Sequence, residues 1–206
     1  MTSEIEEKTG RGPYAPGLAA RTRILRKAAE LFGQRGYRGA SLDEIAKASE
    51  ISKQGLLHHF PNKKSLLVAV LKYRDDVDLE AWPDPETLVG AVILDVWDRV
   101  VERNTELMGL VRLSHVLCAE SSDAEHPARE FFLDHFRLGY TVLRRAFELG
   151  VDAGKLRPDA DYDLISRQVI AMLEGLENQW LVDPENVDIV RLFHAYTRQL
   201  REDIAA

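Results

Sequence analysis

The chain has little cysteine and no long apolar segment. Its 206 residues include one cysteine, Cys118, which excludes an intramolecular disulfide and favours a reducing compartment. No stretch approaches the roughly 18 consecutive apolar residues that are needed to cross a bilayer. The N-terminus has no apolar core typical of a signal peptide. These features predict a cytoplasmic protein that does not associate with membranes.

The sequence also lacks the short motifs that mark common enzymes and metal sites. It has no glycine-rich phosphate loop and no paired-histidine zinc motif, and its six histidines are scattered. His115, Cys118 and Glu120 lie close in sequence, as a nucleophile or metal set would, but Glu120 is offset from His115 by five positions and points elsewhere on a helix. We therefore expect no enzyme, no metal and no cofactor. A helical-bundle enzyme and a metal-sensing regulator are the alternatives.

Charge is divided unevenly along the chain. The net charge of −7 would argue against nucleic-acid binding if it were spread evenly. Residues 1–64, however, contain 12 Lys or Arg against 7 Asp or Glu, whereas residues 65–206 contain 15 against 27. Association with DNA depends on local charge. The basic N-terminal third is therefore the candidate DNA-binding part, and the dispersed acidic residues of the remainder are interpreted as solvated helix faces.

Residues 41–64 have the pattern of two short helices joined by a tight turn. Ser41 and Glu44 form a capping box at the start of the first helix. The segment between the helices is too short and too polar for another element, and Ser52 then caps a second helix over residues 53–59. The pattern predicts a helix-turn-helix whose second helix enters a DNA major groove.

Helical periodicity extends over the whole chain, and no alternating strand pattern or internal repeat appears. We predict an all-α fold of about nine helices. Two of them are the helices of the helix-turn-helix. A first helix precedes these at 18–34 and ends before Gly36, and a fourth helix is capped by Asn62 and runs to about 78. Five further helices are predicted at about 85–103, 105–121, 127–153, 161–182 and 185–204. The predicted domains are a flexible arm (1–17), a three-helix DNA-binding domain (18–64), a connecting helix and linker (65–82), and a helical bundle for ligand binding and dimerisation (83–206).

Spaced residues along the N-terminal third resemble the TetR family of bacterial transcriptional regulators. The segments that agree, in order, are Arg21-Thr22-Arg23-Ile24-Leu25, Ala28-Ala29-Glu30-Leu31-Phe32, Gln34-Arg35-Gly36-Tyr37, Ser41, Ile45-Ala46, Ser52-Lys53, His58-His59-Phe60-Pro61-Asn62-Lys63 and Leu66-Leu67. One departure is Leu57, because the family usually has an aromatic residue, most often Tyr, at that position. The usual phosphate contact of that phenol is therefore not carried over. From about residue 83 the chain resembles the ligand-binding and dimerising half of the family more loosely.

The resemblance implies that the N-terminal part of the second short helix reads base edges while flanking groups hold phosphates. Gln54 is the best base reader, because its amide can pair bidentately with adenine. Lys53 can read guanine or hold a phosphate, and Gly55 lets the backbone approach DNA closely. The predicted phosphate contacts are Ser41, Ser52, His58, His59 and Lys63. Both serines are also expected helix caps with or without DNA, and packing beside Phe60 is the alternative for one of the histidines.

Two apolar stripes on the last two predicted helices favour a homodimer. They are Ile165, Val169, Met172, Leu176 and Trp180, and Val190, Phe193, Thr197, Leu200 and Ile204. One helix-turn-helix recognises too few bases alone, so we expect a dimer on an inverted repeat with half-sites about one helical turn apart. The resemblance implies a four-helix bundle at the interface. The alternative is that the stripes pack only inside the monomer, but a C-terminal pair this apolar has little else to cover it.

Aromatic, methionine and polar residues at helical spacing suggest a cavity in the C-terminal half. A mostly apolar cavity with a few polar groups suits a small hydrophobic or amphipathic effector. The candidate ligand-binding residues are Trp97, Met108, Val111, His115, Cys118, Phe132, Phe136, Glu177, Asn178 and Trp180. For the aromatic and methionine residues the alternative is plain core, and for His115 it is a satisfied core group.

The function that the resemblance implies is repression relieved by a ligand. The ligand binds one domain arrangement better than the other, and the fourth helix converts that preference into the spacing of the recognition helices. The usual outcome in the family is release from the DNA operator. A DNA-binding regulator without an effector, whose C-terminal half is only a dimer scaffold, is the alternative within the same class.

Overall fold

The computed structural model describes residues 14–79 and 87–206, with side chains described for 17–73 and 87–206. Within these ranges the chain forms nine α-helices and no strand: α1 (Tyr14–Gly39), α2 (Leu42–Ala48), α3 (Lys53–His59), α4 (Lys63–Leu79), α5 (Val92–Glu106), α6 (Met108–Glu120), α7 (Arg129–Asp152), α8 (Tyr162–Val182) and α9 (Ile189–Ile204). The predicted all-α fold is confirmed. Most of the predicted N-terminal arm and the predicted break at 82–85 lie outside the described residues.

The regular part of α1 ends at Gly36, as the sequence predicts. The backbone there has φ 68° and ψ 175°, outside the helical region, and glycine is the residue that adopts a positive φ without a steric penalty. The next backbone N–H, of Tyr37, donates to Oε2 of Glu120 at 2.9 Å. The end of α1 is thereby fixed against the last residue of α6.

Local polar groups start the short helices that follow. The capping box of α2 is present, with the Ser41 hydroxyl accepting from the Glu44 backbone and the Glu44 carboxylate accepting from the Ser41 backbone. The Ser52 hydroxyl accepts from the Gly55 N–H at the start of α3, and Oδ1 of Asn62 accepts from the Ser65 N–H at 2.8 Å in the first turn of α4. All three caps agree with the predictions from sequence.

α5 and α9 begin one helical turn or more after the starts that the periodicity predicts. α5 starts at Val92 instead of about 85, because Gly90 adopts a positive φ of 75° and its N–H donates to the Ala146 carbonyl at 2.7 Å. α9 starts at Ile189 instead of about 185, where the Asp188 side chain accepts from a backbone N–H of the first turn. In both cases apolar residues of the preceding turn continue the pattern without continuing the helix.

The apolar side chains form two cores that share α6. The N-terminal core unites α1 to α4 with Leu113 and Leu117 of α6 and with Phe132 of α7. The C-terminal core unites α5 to α9 and includes Val111 of α6. Opposite faces of α6 therefore pack into the two halves of the chain. At the closest approach of α1, a Cβ on Gly33 would lie 3.3 Å from the Gly109 carbonyl oxygen.

Most of the two stripes predicted to form a dimer interface are core residues of the single chain. Val169, Leu176, Trp180, Phe193, Thr197, Leu200 and Ile204 are buried within the monomer, while Ile165 and Val190 pack partly buried against the same core. Only Met172 is exposed, with 38% of its surface accessible. The assignment of the stripes to an interface was therefore wrong for the seven buried residues, because their helix faces pack inside the chain toward α5 and α7.

Gly36 offers a test of the junction between the two halves. We expect Gly36→Ala to lower the free energy of unfolding by about 2 kcal/mol, because an alanine at positive φ is strained. Its Cβ would also collide with the Glu120 carboxylate that accepts from Tyr37. Urea unfolding followed by circular dichroism measures the change.

The control is Gly109→Ala, where a Cβ meets nothing within 4 Å. The stability of that variant should stay the same or rise by up to about 1 kcal/mol. Equal stability of the two variants would contradict the junction described here.

Candidate nucleic-acid interface

The second helix of the helix-turn-helix is held from one side only. Leu56 is fully buried and Phe60, at the C-cap, is nearly so, and both belong to the N-terminal core. The opposite face of α3 exposes Lys53, Gln54 and His58 to solvent. The turn before α3 passes through Glu50, which has a positive φ of 55°. The exposed side chains at the start of α3 therefore form a surface that projects from the domain.

Lys53 contacts an acidic neighbour that DNA can replace. Its Nζ lies 2.8 Å from Oδ2 of Asp43 on α2, with about half of the lysine side chain and two thirds of the aspartate side chain exposed. An ion pair this exposed contributes about 1 kcal/mol at most. A phosphate oxygen or a guanine edge can compete for the same ammonium group. Gln54 lies next to it on the same turn.

The two serines predicted as phosphate contacts are already bonded as caps. The Ser41 hydroxyl donates to Oε2 of Glu44 at 2.9 Å and accepts from the Glu44 N–H. These bonds from Ser41, together with Arg35, hold the pKa of Glu44 below its usual value. The Ser52 hydroxyl accepts from the Gly55 N–H at 3.0 Å. Both side chains are exposed, so a cap and a phosphate contact are compatible in geometry.

The remaining predicted contacts lie around the end of α3. The rings of His58 and His59 are 5.7 Å apart, and His59 lies 6.5 Å from Phe60. The packing alternative therefore applies to His59, while His58 is exposed.

Lys63 is turned toward the domain. Its Nζ stands 4.6 Å from the centre of the Tyr37 ring and 3.4 Å from the Arg38 carbonyl oxygen. Burial lowers the pKa of the Lys63 ammonium, and the nearby Glu120 carboxylate acts in the opposite direction. The charged end of Lys63 is therefore turned inward, whereas that of Lys53 is half exposed beside Asp43.

A basic groove between α1 and α4 was missed from the sequence. It has a volume of roughly 590 Å³ and is lined by Arg21, Leu25, Asn62, Lys64, Ser65, Val68, Ala69, Lys72 and Tyr73. The Arg21 guanidinium also lies 5.1 Å from the centre of the Phe60 ring, so the groove is next to the end of α3. Lys64 and Lys72 are eight residues apart on one helix. That spacing, about two helical turns, was the sequence signal that could have predicted a basic surface along α4.

The C-terminal half contains a buried polar cluster between α5, α6 and α8. Glu177 is almost wholly buried; its Oε1 accepts from Nδ2 of Asn104 at 2.6 Å and its Oε2 lies 2.7 Å from Nε2 of His115. Oε2 of Glu174 lies 3.8 Å from the other ring nitrogen of His115. His115 and Glu177 were predicted site residues. Asn104 and Glu174 were not predicted. Their spacing from predicted residues was the available signal, because Glu174 lies one helical turn before Glu177 and Asn104 lies two turns after Trp97.

The structure divides the other predicted ligand-binding residues between the two cores and the surface. Trp97, Met108, Val111 and Trp180 belong to the C-terminal core or pack against it. Cys118, Phe132 and Phe136 belong to the N-terminal core or pack against it. Asn178 is exposed on α8, and its amide donates to the Glu174 carbonyl. Cys118, Phe132 and Phe136 therefore lie with a different core from Trp97, Met108, Val111 and Trp180, and Asn178 lies on the exposed side of α8, so the ten predicted residues do not share one core.

Comparisons with known proteins agree with this architecture. Residues 24–70 match the family model for bacterial regulatory proteins of the tetR family. The HTH-type transcriptional regulator UidR of Escherichia coli K12 is 27% identical over 172 residues, which covers 83% of this chain and 84% of UidR. None of the described helices is long and apolar enough to span a membrane.

Solved structures share the fold at lower sequence identity. A transcriptional regulator from Saccharomonospora viridis in complex with choline superposes with a TM-score of 0.71 at 22% identity, over 92% of this chain and 99% of that one. NalD, the secondary repressor of the MexAB-OprM multidrug efflux pump in Pseudomonas aeruginosa, gives a TM-score of 0.68 at 21% identity, over 92% and 98%. The relatives are regulators and not enzymes. Residues 24–70 are thus a DNA-binding domain of the tetR family of bacterial regulatory proteins, and the described chain shares the all-helical fold of solved transcriptional regulators.

Proposed function

We propose that this chain is a homodimeric repressor that binds an inverted-repeat operator through α3 and leaves it when a small molecule binds the C-terminal half. The observation that carries the proposal is the exposed start of α3, where Lys53 and Gln54 project from a domain whose other face is buried. Residues 18–64 would act as the DNA-binding unit, 65–82 as the connection, and 83–206 as the effector and dimer unit.

The charge around α3 supports a DNA partner. Lys53 and Gln54 would meet base edges, with Gly55 allowing close approach, while Ser41, Ser52, His58 and His59 flank them. The basic groove adds Arg21, Lys64 and Lys72 beside the end of α3. These lysine and arginine side chains would neutralise phosphates on either side of the major groove, which makes binding strongly dependent on salt.

A dimer supports recognition of two half-sites, and its proposed surface is the exposed face of α8 with the neighbouring part of α9. Leu164, Met172 and Val182 lie along that face of α8, and Leu192 lies on α9. Gly175 is exposed between them. Exposed apolar side chains at helical spacing favour burial against a second copy. The interface would thus use the same two helices as predicted, but mainly other residues.

The shared helix α6 supports communication between effector and DNA. It presents Val111 and His115 to the C-terminal half and Leu113 and Leu117 to the N-terminal core. An effector that prefers one position of α6 would therefore move the DNA-binding domain with it. The choline complex of the Saccharomonospora viridis protein supports a small-molecule effector for a protein of this fold. The repressor NalD supports the sign of regulation.

The DNA contacts are tested by binding to an operator selected from random or genomic DNA. We expect Gln54→Ala to lose about 1–3 kcal/mol of discrimination at one base position. Lys53→Ala should weaken binding to all sequences and lower the dependence of log affinity on log salt by about one unit, because one phosphate contact is lost. Fluorescence anisotropy at several salt concentrations measures both effects.

Lys155→Ala is the matched control, because it removes an equal charge from an exposed residue of the C-terminal half. It should leave affinity and discrimination at native values. A loss at Lys155 as large as that at Lys53 would mean that overall charge, and not the surface of α3, governs the interaction.

The dimer surface is tested by placing a charge at its centre. We expect Met172→Glu to weaken self-association by about 3 kcal/mol or more, because a carboxylate would be buried without a partner. Analytical ultracentrifugation measures the shift toward monomer. Leu138→Glu is the control, since Leu138 is also exposed, at 52%, but lies on α7. A native-like dimer in Met172→Glu together with dissociation in Leu138→Glu would contradict the proposed interface.

A further inference from the structure

Three side chains able to bind a metal converge between α6 and α8. One donor atom from each of His115, Glu174 and Glu177 can be chosen so that all three lie within 4.8 Å of one another. Glu174 and Glu177 are one helical turn apart and share a face of α8. His115 reaches from α6, with Nε2 at 2.7 Å from Glu177 and Nδ1 at 3.8 Å from Glu174. The scattered histidines of the sequence gave no sign of this convergence.

The charges of these three groups favour a cation between them. The side chains of Glu177 and His115 are 4% and 10% exposed, and that of Glu174 is 33% exposed. Buried carboxylates are costly unless a positive charge accompanies them. With the imidazole neutral, the two carboxylates of this trio carry two negative charges. A divalent ion bound to the two carboxylates and the neutral imidazole makes the set neutral.

The chemistry of the donors selects the class of ion. One imidazole nitrogen and two carboxylate oxygens suit borderline divalent metals such as Zn²⁺ and Co²⁺. Asn104 supports this arrangement from outside, because its Nδ2 donates to Oε1 of Glu177 at 2.6 Å and leaves Oε2 directed at His115. Such hydrogen bonds from behind orient metal-ligating carboxylates. Three protein ligands leave a coordination position for water or another small ligand.

Only a small rearrangement is needed for coordination. Metal–donor bonds of about 2.0–2.2 Å place neighbouring donors about 3 Å apart. The Nε2–Oε2 distance of 2.7 Å would therefore open by a few tenths of an ångström, and the Glu174 side chain would turn toward Nε2. We propose that His115, Glu174 and Glu177 bind a divalent transition-metal ion that ties α6 to α8.

An ion at this site would act on a helix that both halves of the chain share. His115 lies two residues from both Leu113 and Leu117, which pack in the N-terminal core. Fixing α6 against α8 therefore fixes the DNA-binding domain against the proposed dimer helix. The effect of the ion on DNA binding rests on the proposed function. The binding of the ion itself does not depend on that function.

Metal binding is tested on the full chain without a histidine tag. The protein is stripped with a chelator, dialysed, and titrated with Zn²⁺ or Co²⁺ alone, with bound metal measured by mass spectrometry. We expect one saturable ion per chain and a rise in the thermal midpoint, because an ion that binds only the folded state stabilises it. The Co²⁺ complex should show no intense sulfur charge-transfer band, since Cys118 is not a ligand. Absence of saturable binding and of stabilisation in the native chain overturns the proposal, whatever the variants do.

Variants locate the ion. Glu174→Gln and His115→Gln should weaken binding at least about tenfold, the loss that even indirect changes around a metal produce. His194→Gln is the matched control, because His194 is 38% exposed and also lies within 4 Å of two carboxylates, those of Asp98 and Glu102. It should leave the affinity unchanged. Circular dichroism checks that each variant is folded. Native affinity in folded His115→Gln, or loss in His194→Gln instead, overturns the assignment.

A final comparison separates this site from the proposed function. Operator affinity is measured with and without Zn²⁺ for the native chain and Glu174→Gln, and we expect the ion to change affinity only in the native chain. Ion binding with no selectable operator would reject the proposed function and retain the metal site. Selective DNA binding with no ion binding would do the reverse.

Discussion

The packing of α6 into both apolar cores is the constraint on which the rest of the structure depends. Leu113 and Leu117 are fully buried in the N-terminal core, while Val111, on another face of the same helix, is buried in the C-terminal core. Glycine at position 33 lets α1 approach α6 closely, and Glu120 fixes the end of α1 through Tyr37. Close-packed interiors transmit displacements instead of absorbing them. A shift of α6 therefore has to be accompanied by a shift of the DNA-binding domain.

What the sequence predicts well is whatever a few neighbouring residues decide. The caps of α2, α3 and α4 each depend on a side chain within three or four positions of the backbone group that it bonds. The stop at Gly36 depends on the positive φ of that one residue. Helix existence follows from periodicity for the same reason. Periodicity does not fix the residue at which a helix starts. In α5, Leu88 is buried as a helix residue would be, although it lies before the helix, in the segment that leads to Gly90.

What the sequence does not predict is which of several apolar faces meets which partner. Val169, Leu176 and Phe193 form stripes that suit a dimer and a monomer core equally well, and only the packing of α5 and α7 over them decides. The separation of Phe132 from Trp97 has the same origin, since both are aromatic residues at helical spacing. The cluster of His115 with Glu174 joins residues from different helices. Residues on two different helices show no common spacing in the sequence, so their contact could not be predicted from it.

The central claim is that the exposed start of α3 reads DNA in two symmetric half-sites, and footprinting on the DNA that flanks the protein's own gene tests it most directly. The native protein should protect an inverted repeat with half-site centres about one helical turn apart. Protection should disappear when Lys53 and Gln54 are both changed to alanine, although the variant remains folded. The same protected repeat in the double variant would contradict the role of α3.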